Sequence, residues 1–354
     1  MARKTKTVWV GNIPIGTGHP IAIQSMLSRP SFDLAGNIAQ AKALQAAGCQ
    51  IIRSAVPDID AVRLIAALKE AVTMPIVADI HFDYRLALEC VAAGADKIRI
   101  NPGNIGGADR VRAVAKACNE KNIPIRIGVN SGSVEKTLLE KFGGPTAEAM
   151  VESAANHLAL LAHADFNNTV ISIKSSNLNT MVAAYRLAAE RFDCPLHLGV
   201  TEAGTERIGL IKSAIGIGTL LLDGIGDTIR VSLTADPVSE IAAAKDILKA
   251  LGLKGSGVQL ISCPTCGRTR IDLVALAQKV EQALQSCPRD LKVAVMGCAV
   301  NGPGEAREAD IGIAGGDGYG IIFVKGEIVD KVPEEELLPA LLKRIEEMGH
   351  VEQQ

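Results

Sequence analysis

The residues best suited to chemistry lie late in the chain. Cys263-Pro264-Thr265-Cys266-Gly267-Arg268 sets two thiols two residues apart, a local chelate. Met296-Gly297-Cys298-Ala299-Val300-Asn301-Gly302-Pro303-Gly304-Glu305 adds a third thiol inside a glycine-rich turn. No fourth cysteine accompanies that turn, and the next good donor is the Glu305 carboxylate. A closed zinc site takes four nitrogen or sulfur donors in a tetrahedron. Three thiolates and one hard carboxylate suit an iron–sulfur cluster with one iron held differently from the rest. That iron could exchange its carboxylate for a substrate oxygen. A Cys-x-x-Cys pair alone also builds structural zinc sites and turns; the third cysteine and the Pro-Gly-Glu turn favour the cluster.

A second set of reactive groups is spread over the first two thirds of the chain. Arg53, Arg99, Arg126, Lys174 and Arg230 each sit in the middle or distal half of a separate β-branched run. Those runs are Ile21–Met26, Ile51–Val56, Ile76–Ile80, Lys97–Asn101, Ile125–Asn130, Val170–Ser175, Leu196–Glu202 and Ile229–Leu233. Alanine- and leucine-rich helical stretches lie between them, several ending in Gly or Asn caps such as Gly48, Gly94 and Asn122. Strand–helix alternation gives parallel strands with right-handed crossovers, and eight of them close a (β/α)8 barrel. An open doubly wound sheet would need a glycine-rich dinucleotide turn after an early strand, and there is none. Parallel barrel strands are buried on both faces, so five cations there are costly without partners. A bound polyanion such as phosphate is the natural compensation. Asp79, His81, Asn130, Glu202 and Ser232 stand at strand ends, where barrel active sites form.

After a helix over about Pro237–Leu251, Lys254-Gly255-Ser256-Gly257 reads as a linker. We therefore expect a barrel over 1–253 and a small α+β domain over 258–354. The second domain has a helix at Leu273–Leu284, strands near Val293–Met296, Ile311–Ala314 and Ile321–Val324, and a charged helix from Glu334 to Met348.

Composition excludes several classes. The 354 residues are 48% hydrophobic with net charge −2 and only 3% aromatic. That balance speaks against nucleic acid as partner, whether by basic patches or by stacking platforms. The apolar run Ala214–Leu222 is too short to span a membrane and is flanked by Lys212 and Asp223. Basic residues near the start are followed by no apolar signal core, which implies a cytoplasmic protein. Cys49, Cys90, Cys118, Cys194 and Cys287 are then expected as small hydrophobic filler rather than disulfides.

Several segments together resemble one family. They are Ala78-Asp79-Ile80-His81-Phe82, Arg99-Ile100-Asn101-Pro102-Gly103-Asn104, Arg126-Ile127-Gly128-Val129-Asn130, Leu196–Gly204 and Gly224–Leu233, with both cysteine turns. The chain is similar in these to the bacterial 4-hydroxy-3-methylbut-2-enyl-diphosphate synthases, in their short two-domain form. The resemblance implies a barrel followed by a ferredoxin-like domain of the sulfite and nitrite reductase type. It implies a [4Fe-4S] cluster on Cys263, Cys266, Cys298 and Glu305. It also implies reductive ring opening of 2-C-methyl-D-erythritol 2,4-cyclodiphosphate in non-mevalonate isoprenoid synthesis, with flavodoxin or ferredoxin as electron donor. Arg53, Arg99, Arg126, Asn130, Lys174, Arg230 and Ser232 would hold the diphosphate, Asp79 and His81 would orient the site, and Glu202 would donate a proton or orient a hydroxyl. One departure stands out: after Gln24-Ser25-Met26 the family has a threonine-rich turn, where this chain has Leu27-Ser28-Arg29-Pro30-Ser31.

The residues leave two other classes open: a zinc-dependent barrel hydrolase or aldolase, and a ligand-binding barrel with a structural zinc ribbon. Chain length implies something about assembly. The last barrel helix runs toward the N-terminal face, whereas the cations sit at the other end. Four linker residues reach only about 14 Å. A homodimer in which each second domain caps its partner's barrel meets both constraints, and the family resemblance implies the same.

Overall fold

A computed structural model describes residues 3–253, 257–285 and 287–351. The expected linker residues 254–256 lie outside the described residues. The chain divides into two compact units, Met1–Ile247 and Leu248–Gln354.

The first unit is the (β/α)8 barrel that the sequence implies. It opens with a hairpin of β1 (Val8–Val10) and β2 (Ile13–Ile15), paired antiparallel. The barrel strands follow: β3 (Ala22–Met26), β4 (Ile51–Ala55), β5 (Ile76–Asp79), β6 (Lys97–Ile100), β7 (Ile125–Asn130), β8 (Thr169–Lys174), β9 (His197–Leu198) and β10 (Thr228–Ile229). Their order in the sheet is β8-β7-β6-β5-β4-β3-β10-β9, all parallel. A single parallel bridge, Ile171↔Leu196, joins the two edges and closes the ring.

β9 and β10 are much shorter than the runs Leu196–Glu202 and Ile229–Leu233 that the pattern marks as strands. A Cβ on Gly199 would lie 2.9 Å from the Arg230 carbonyl oxygen. Only glycine lets the two backbones come so close, and the regular ladder ends there.

The hairpin was not expected, since two three-residue strands carry too little periodicity to be seen. Its residues Val8, Val10 and Ile15 form one apolar cluster with Ala22, Ile51, Val77 and Val170 from four barrel strands. Side chains alternate along a strand, so the residues two further on share the same face. In those four strands they are Gln24, Arg53, Asp79 and Ser172, all buried. An apolar plug thus lies beneath a buried polar layer, and the barrel opens only toward the C-terminal ends of its strands.

The second unit is an α+β domain with sheet order β11-β12-β13-β14-β15. The strands are β11 (Gln259–Ser262), β12 (Lys292–Met296), β13 (Ile311–Gly315), β14 (Tyr319–Val324) and β15 (Glu327–Pro333). The first three are parallel and the last two antiparallel. Helices Leu273–Leu284 and Leu337–Val351 cover one face, packing Val280, Leu341 and Ile345 on Val293, Val295 and Ile313. On the other face Ala294, Met296 and Ala314 support the cysteine turn. A Cβ on Gly302 would lie 2.8 Å from Met296 Cβ and 2.9 Å from Ala314 Cβ, so glycine is required to seat Pro303-Gly304-Glu305 on the sheet.

Ile15 is fully buried at the centre of the plug. Ile15→Ala is expected to cost about 2–5 kcal/mol of stability, because the barrel floor cannot collapse into the cavity. Denaturant unfolding of the two proteins measures it; a change under about 0.5 kcal/mol would mean the hairpin is dispensable to the barrel.

Candidate active site

The barrel mouth is organised by one carboxylate. Asp79, at the end of β5, is buried and touches three bases. Arg99 Nη1 donates to its Oδ1 at 3.1 Å. Arg53 Nε lies 3.4 Å and His81 Nε2 3.4 Å from its Oδ2. Burial by itself would raise the Asp79 carboxyl, but Arg53, His81 and Arg99 outweigh it and hold the group far below the carboxylate range. Asp79 is therefore a fixed anion, and it orients its neighbours.

One anion does not satisfy the cations around it. Burial lowers the Arg53 guanidinium to about 10 against the pull of Asp79, with Arg230 and Arg99 adding repulsion. Arg126 is fully buried, and its Nε, Nη1 and Nη2 all lack hydrogen-bond partners. Burial first, then Arg53 and Arg99, push it well down. Lys174 is pushed well down by burial and by Arg53, Arg126 and Arg99. Arg53 Nη1, Arg99 Nε and Arg230 Nε are likewise buried and unpartnered. Arg53 Nε and Arg230 Nη1 instead turn to the Met26 thioether, at 3.1 and 3.6 Å. Sulfur is a weak acceptor, a poor substitute for an anionic oxygen.

The backbone makes room for this crowding. A Cβ on Gly128 would sit 2.5 Å from Arg99 Nε, so β7 carries glycine where the guanidinium crosses it. A cavity of about 220 Å³ opens beside these groups, lined by Arg53, Lys174, Tyr185, His197, Gly199, Val200, Thr201, Arg230 and Ser232. Asn130, in register with Lys174, stands at the end of β7. Glu202 is exposed on the loop after β9 with φ +53°, a left-handed conformation that is uncommon and strained for a non-glycine residue. Its carboxylate has no partner among the described residues. Leu27 is buried where the resembled family has its threonine-rich turn, so position 27 presents no hydroxyl to the mouth.

Several further residues belong to the site, of which the sequence offers His197 equally as a core residue and does not mark Lys97, Tyr185 or Glu240. Lys97 is fully buried with its Nζ unpartnered, two residues before Arg99 on the same strand face; that spacing was visible. His197 is pushed well down by burial and by Arg126 and Lys97, and its Nδ1 shares a 2.7 Å hydrogen bond with Thr228 Oγ1. Tyr185 donates to the His197 carbonyl at 2.5 Å. Glu240, from the helix Pro237–Ala250, lies 3.6 Å from Arg230 Nη2. Nothing in its sequence context distinguishes it from an ordinary acidic residue in a helix's first turn.

In the second unit the Cys263 thiol accepts the Gly297 N–H at 3.2 Å, which brings the two cysteine turns together. Cys266 is exposed and its thiol is lowered by hydrogen bonds from the Arg268 backbone and guanidinium. The same guanidinium is held in its charged form by Cys266, Cys298 and Glu305 together. All four expected ligands thus converge on one region. Among the described residues no three acidic, cysteine or histidine groups close on a single ion. By donor chemistry, three soft thiols and one hard carboxylate fit an iron–sulfur cluster. The thiols of Cys49, Cys90 and Cys118 are raised by burial to about 11, 12 and 12, which marks them as inert filler.

A closed parallel barrel with a mouth of unpartnered cations, followed by an α+β domain with two cysteine turns, is the build of an enzyme that takes an anionic substrate beside a metal-binding unit. Residues 5–245 match the GcpE TIM-barrel domain and residues 259–347 the GcpE protein C-terminal domain. The chain belongs to the GcpE family, iron–sulfur enzymes of isoprenoid biosynthesis. It is 59% identical to a 4-hydroxy-3-methylbut-2-en-1-yl diphosphate synthase (flavodoxin) of Clostridium perfringens, over 97% of this chain and 99% of the relative. It is 56% identical to the enzyme of the same name from Ruminiclostridium cellulolyticum, over 98% of each chain. Among solved structures, the dihydropteroate synthase of Yersinia pestis matches with a TM-score of 0.50 at 15% identity, over 69% of this chain and 98% of that one. That likeness concerns the barrel fold alone. No helix among the described residues is long and apolar enough to cross a membrane.

Replacing a cation that has no partner should relieve the ligand-free protein. Arg126→Met is expected to leave it as stable as before or more stable by up to about 4 kcal/mol. The same change should weaken binding of a phosphorylated substrate by about tenfold to a hundredfold. Denaturant unfolding and calorimetric titration give the two numbers; lower stability with unchanged affinity would make Arg126 a structural residue.

Proposed function

We infer that this chain reduces 2-C-methyl-D-erythritol 2,4-cyclodiphosphate to 4-hydroxy-3-methylbut-2-enyl diphosphate. Two electrons and two protons enter, the cyclic diphosphate opens, and one water leaves. The observation that carries this is the surplus of buried, unpartnered cations at the barrel mouth, on a chain that also carries three clustered thiols and a carboxylate. A small diphosphate supplies the missing acceptors.

In this reading Arg53, Arg99, Arg126, Lys174 and Arg230 bind the diphosphate oxygens, with Asn130 and Ser232 as neutral donors. Asp79 keeps Arg53 and Arg99 in place and, with His81, orients the mouth. Glu202, strained and without a partner, donates a proton at the departing hydroxyl. The apolar plug below and the buried layer above it exclude water from the barrel interior. Cys263, Cys266, Cys298 and Glu305 would hold a [4Fe-4S] cluster, Glu305 being the exchangeable ligand. When bound, the cluster supplies electrons one at a time and a Lewis-acidic iron. The donor is a soluble carrier, flavodoxin or ferredoxin, and the names of the relatives favour flavodoxin.

We also propose that 1–253 is the substrate domain and 258–354 the cluster domain, and that two chains form a homodimer sharing each active site. The short linker supports this, as does an exposed apolar stripe of Ile208, Ile211, Ile215 and Leu222 on the helix Glu206–Leu222.

Anaerobic protein is expected to be brown, to contain iron and sulfide, and to form product from the cyclic diphosphate with reduced flavodoxin. A colourless protein holding stoichiometric zinc would overturn the assignment. Cys298→Ser should lose iron, because serine replaces a soft thiolate poorly. Glu305→Ala should keep a cluster on three thiolates while turnover falls. Equal and complete loss of iron in both variants would contradict an exchangeable role for Glu305.

A further inference from the structure

Glu240 lies in the first turn of the helix Pro237–Ala250 and is 3% exposed. Its carboxylate ties three elements. Oε2 accepts from Ser25 Oγ on β3 at 3.0 Å. Oε1 accepts from the Leu233 N–H at 3.1 Å and lies 3.6 Å from Arg230 Nη2. β3 and β10 are neighbours in the barrel wall, so the carboxylate bridges them just where β10 gives way to the loop carrying Arg230, Ser232 and Leu233.

Arg230 has few other fixed points. Its Nε is buried without a partner, and its Nη1 reaches only the Met26 sulfur. Of the groups near its guanidinium, Glu240 alone is an anion in ion-pair distance among the described residues. Both Arg230 and Ser232 line the mouth cavity, whereas Glu240 does not. The carboxylate therefore acts on the cavity through these two residues.

We propose that Glu240 is the positioning residue for the Arg230–Ser232 side of the mouth: it fixes the guanidinium fork and the Leu233 amide so that both residues present donors to the substrate's diphosphate. This rests on the reading that Arg230 binds that diphosphate.

Glu240→Gln is nearly isosteric. Its amide oxygen can still accept from Leu233 N–H and its NH2 can donate to Ser25 Oγ with the hydroxyl turned round, so the main loss is the charge facing Arg230. Affinity for the cyclic diphosphate is measured by calorimetry on oxidised holoenzyme without reductant, for wild type, Glu240→Gln, Arg230→Met and the double variant. In the wild-type background Glu240→Gln should weaken binding about fivefold to tenfold. In the Arg230→Met background the same change should have less than about a twofold effect, because the intermediary is gone. Unfolding gives a second sign. Glu240→Gln should lower stability slightly beside Arg230 and raise it beside Met, where the buried carboxylate is unpaired.

An equal loss of affinity in both backgrounds, or none in the wild type, overturns the proposal. If Arg230→Met alone leaves affinity unchanged, the assignment of Arg230 to the substrate fails first and the role of Glu240 fails with it. Should Glu240→Gln not fold, Glu240→Asp, which keeps the charge and shortens the reach, is measured in the same two backgrounds against the same criteria.

Discussion

Asp79 faces buried Arg53 and Arg99 and exposed His81, with buried Arg126, Lys97 and half-buried Lys174 close by in the barrel. Like charges at such range repel strongly where water is scarce, and one carboxylate cannot neutralise them. Everything else in the barrel follows from that imbalance. Asp79 is held ionised, Met26 is recruited as a makeshift acceptor, and Gly128 stands aside for a guanidinium. The plug of β1 and β2 closes the floor, so relief comes only from the mouth. On the proposed reading, a diphosphate entering there would meet donors already aimed and already stripped of water, preorganisation at the expense of ligand-free stability.

Much of this was legible in the sequence because cations interrupt β-branched runs at regular places. Arg53, Arg99, Arg126 and Lys174 fall where the pattern demands apolar residues, and the strands themselves were found within a residue or two. The last two strands were overrun because hydrophobicity continues past Gly199 although the ladder does not. The hairpin was missed because its function is to plug, and three-residue strands give no period to detect. Glu240 was missed for a different reason. An acidic residue in a helix's first turn is normal on dipole grounds, and only three dimensions reveal that this one turns inward to Ser25, Leu233 and Arg230. In the second unit the helix Leu273–Leu284 was read to the residue, whereas β11 and β15 were not seen. β15 is exposed along its length, so it lacks the buried face that makes a strand conspicuous.

The two units divide the chemistry by the kind of environment each can build. The barrel holds hard cations for hard phosphate oxygens. The sheet of the second unit offers small residues, Ala294 and Ala314, on which Gly302 can seat a tight turn. That turn leaves Cys298 and Glu305 near the surface beside Arg268, where an inserted group could reach them. Cys49, Cys90 and Cys118, buried around the barrel on its helices and connections, are chemically the same residue with the opposite fate, because burial keeps their thiols protonated.

The central claim is that buried cations outnumber anions at the barrel mouth until the diphosphate arrives, and proton linkage tests it most directly. Burial and like charge depress Lys174 and Lys97, so each binds its proton less tightly in the free protein. A bound anion favours the protonated forms and raises both. Between the free and bound values the complex must take up protons, most of all midway between them. Each phosphorus of the cyclic diphosphate carries one strongly acidic oxygen, ionised throughout this range, so the ligand itself contributes none. Calorimetric titration of the cyclic diphosphate into oxidised holoenzyme, repeated in buffers of different ionisation enthalpy between pH 7 and about 9, reads the proton count. Net proton uptake is the expected result. Heats independent of buffer across that range, or net proton release, would contradict the account.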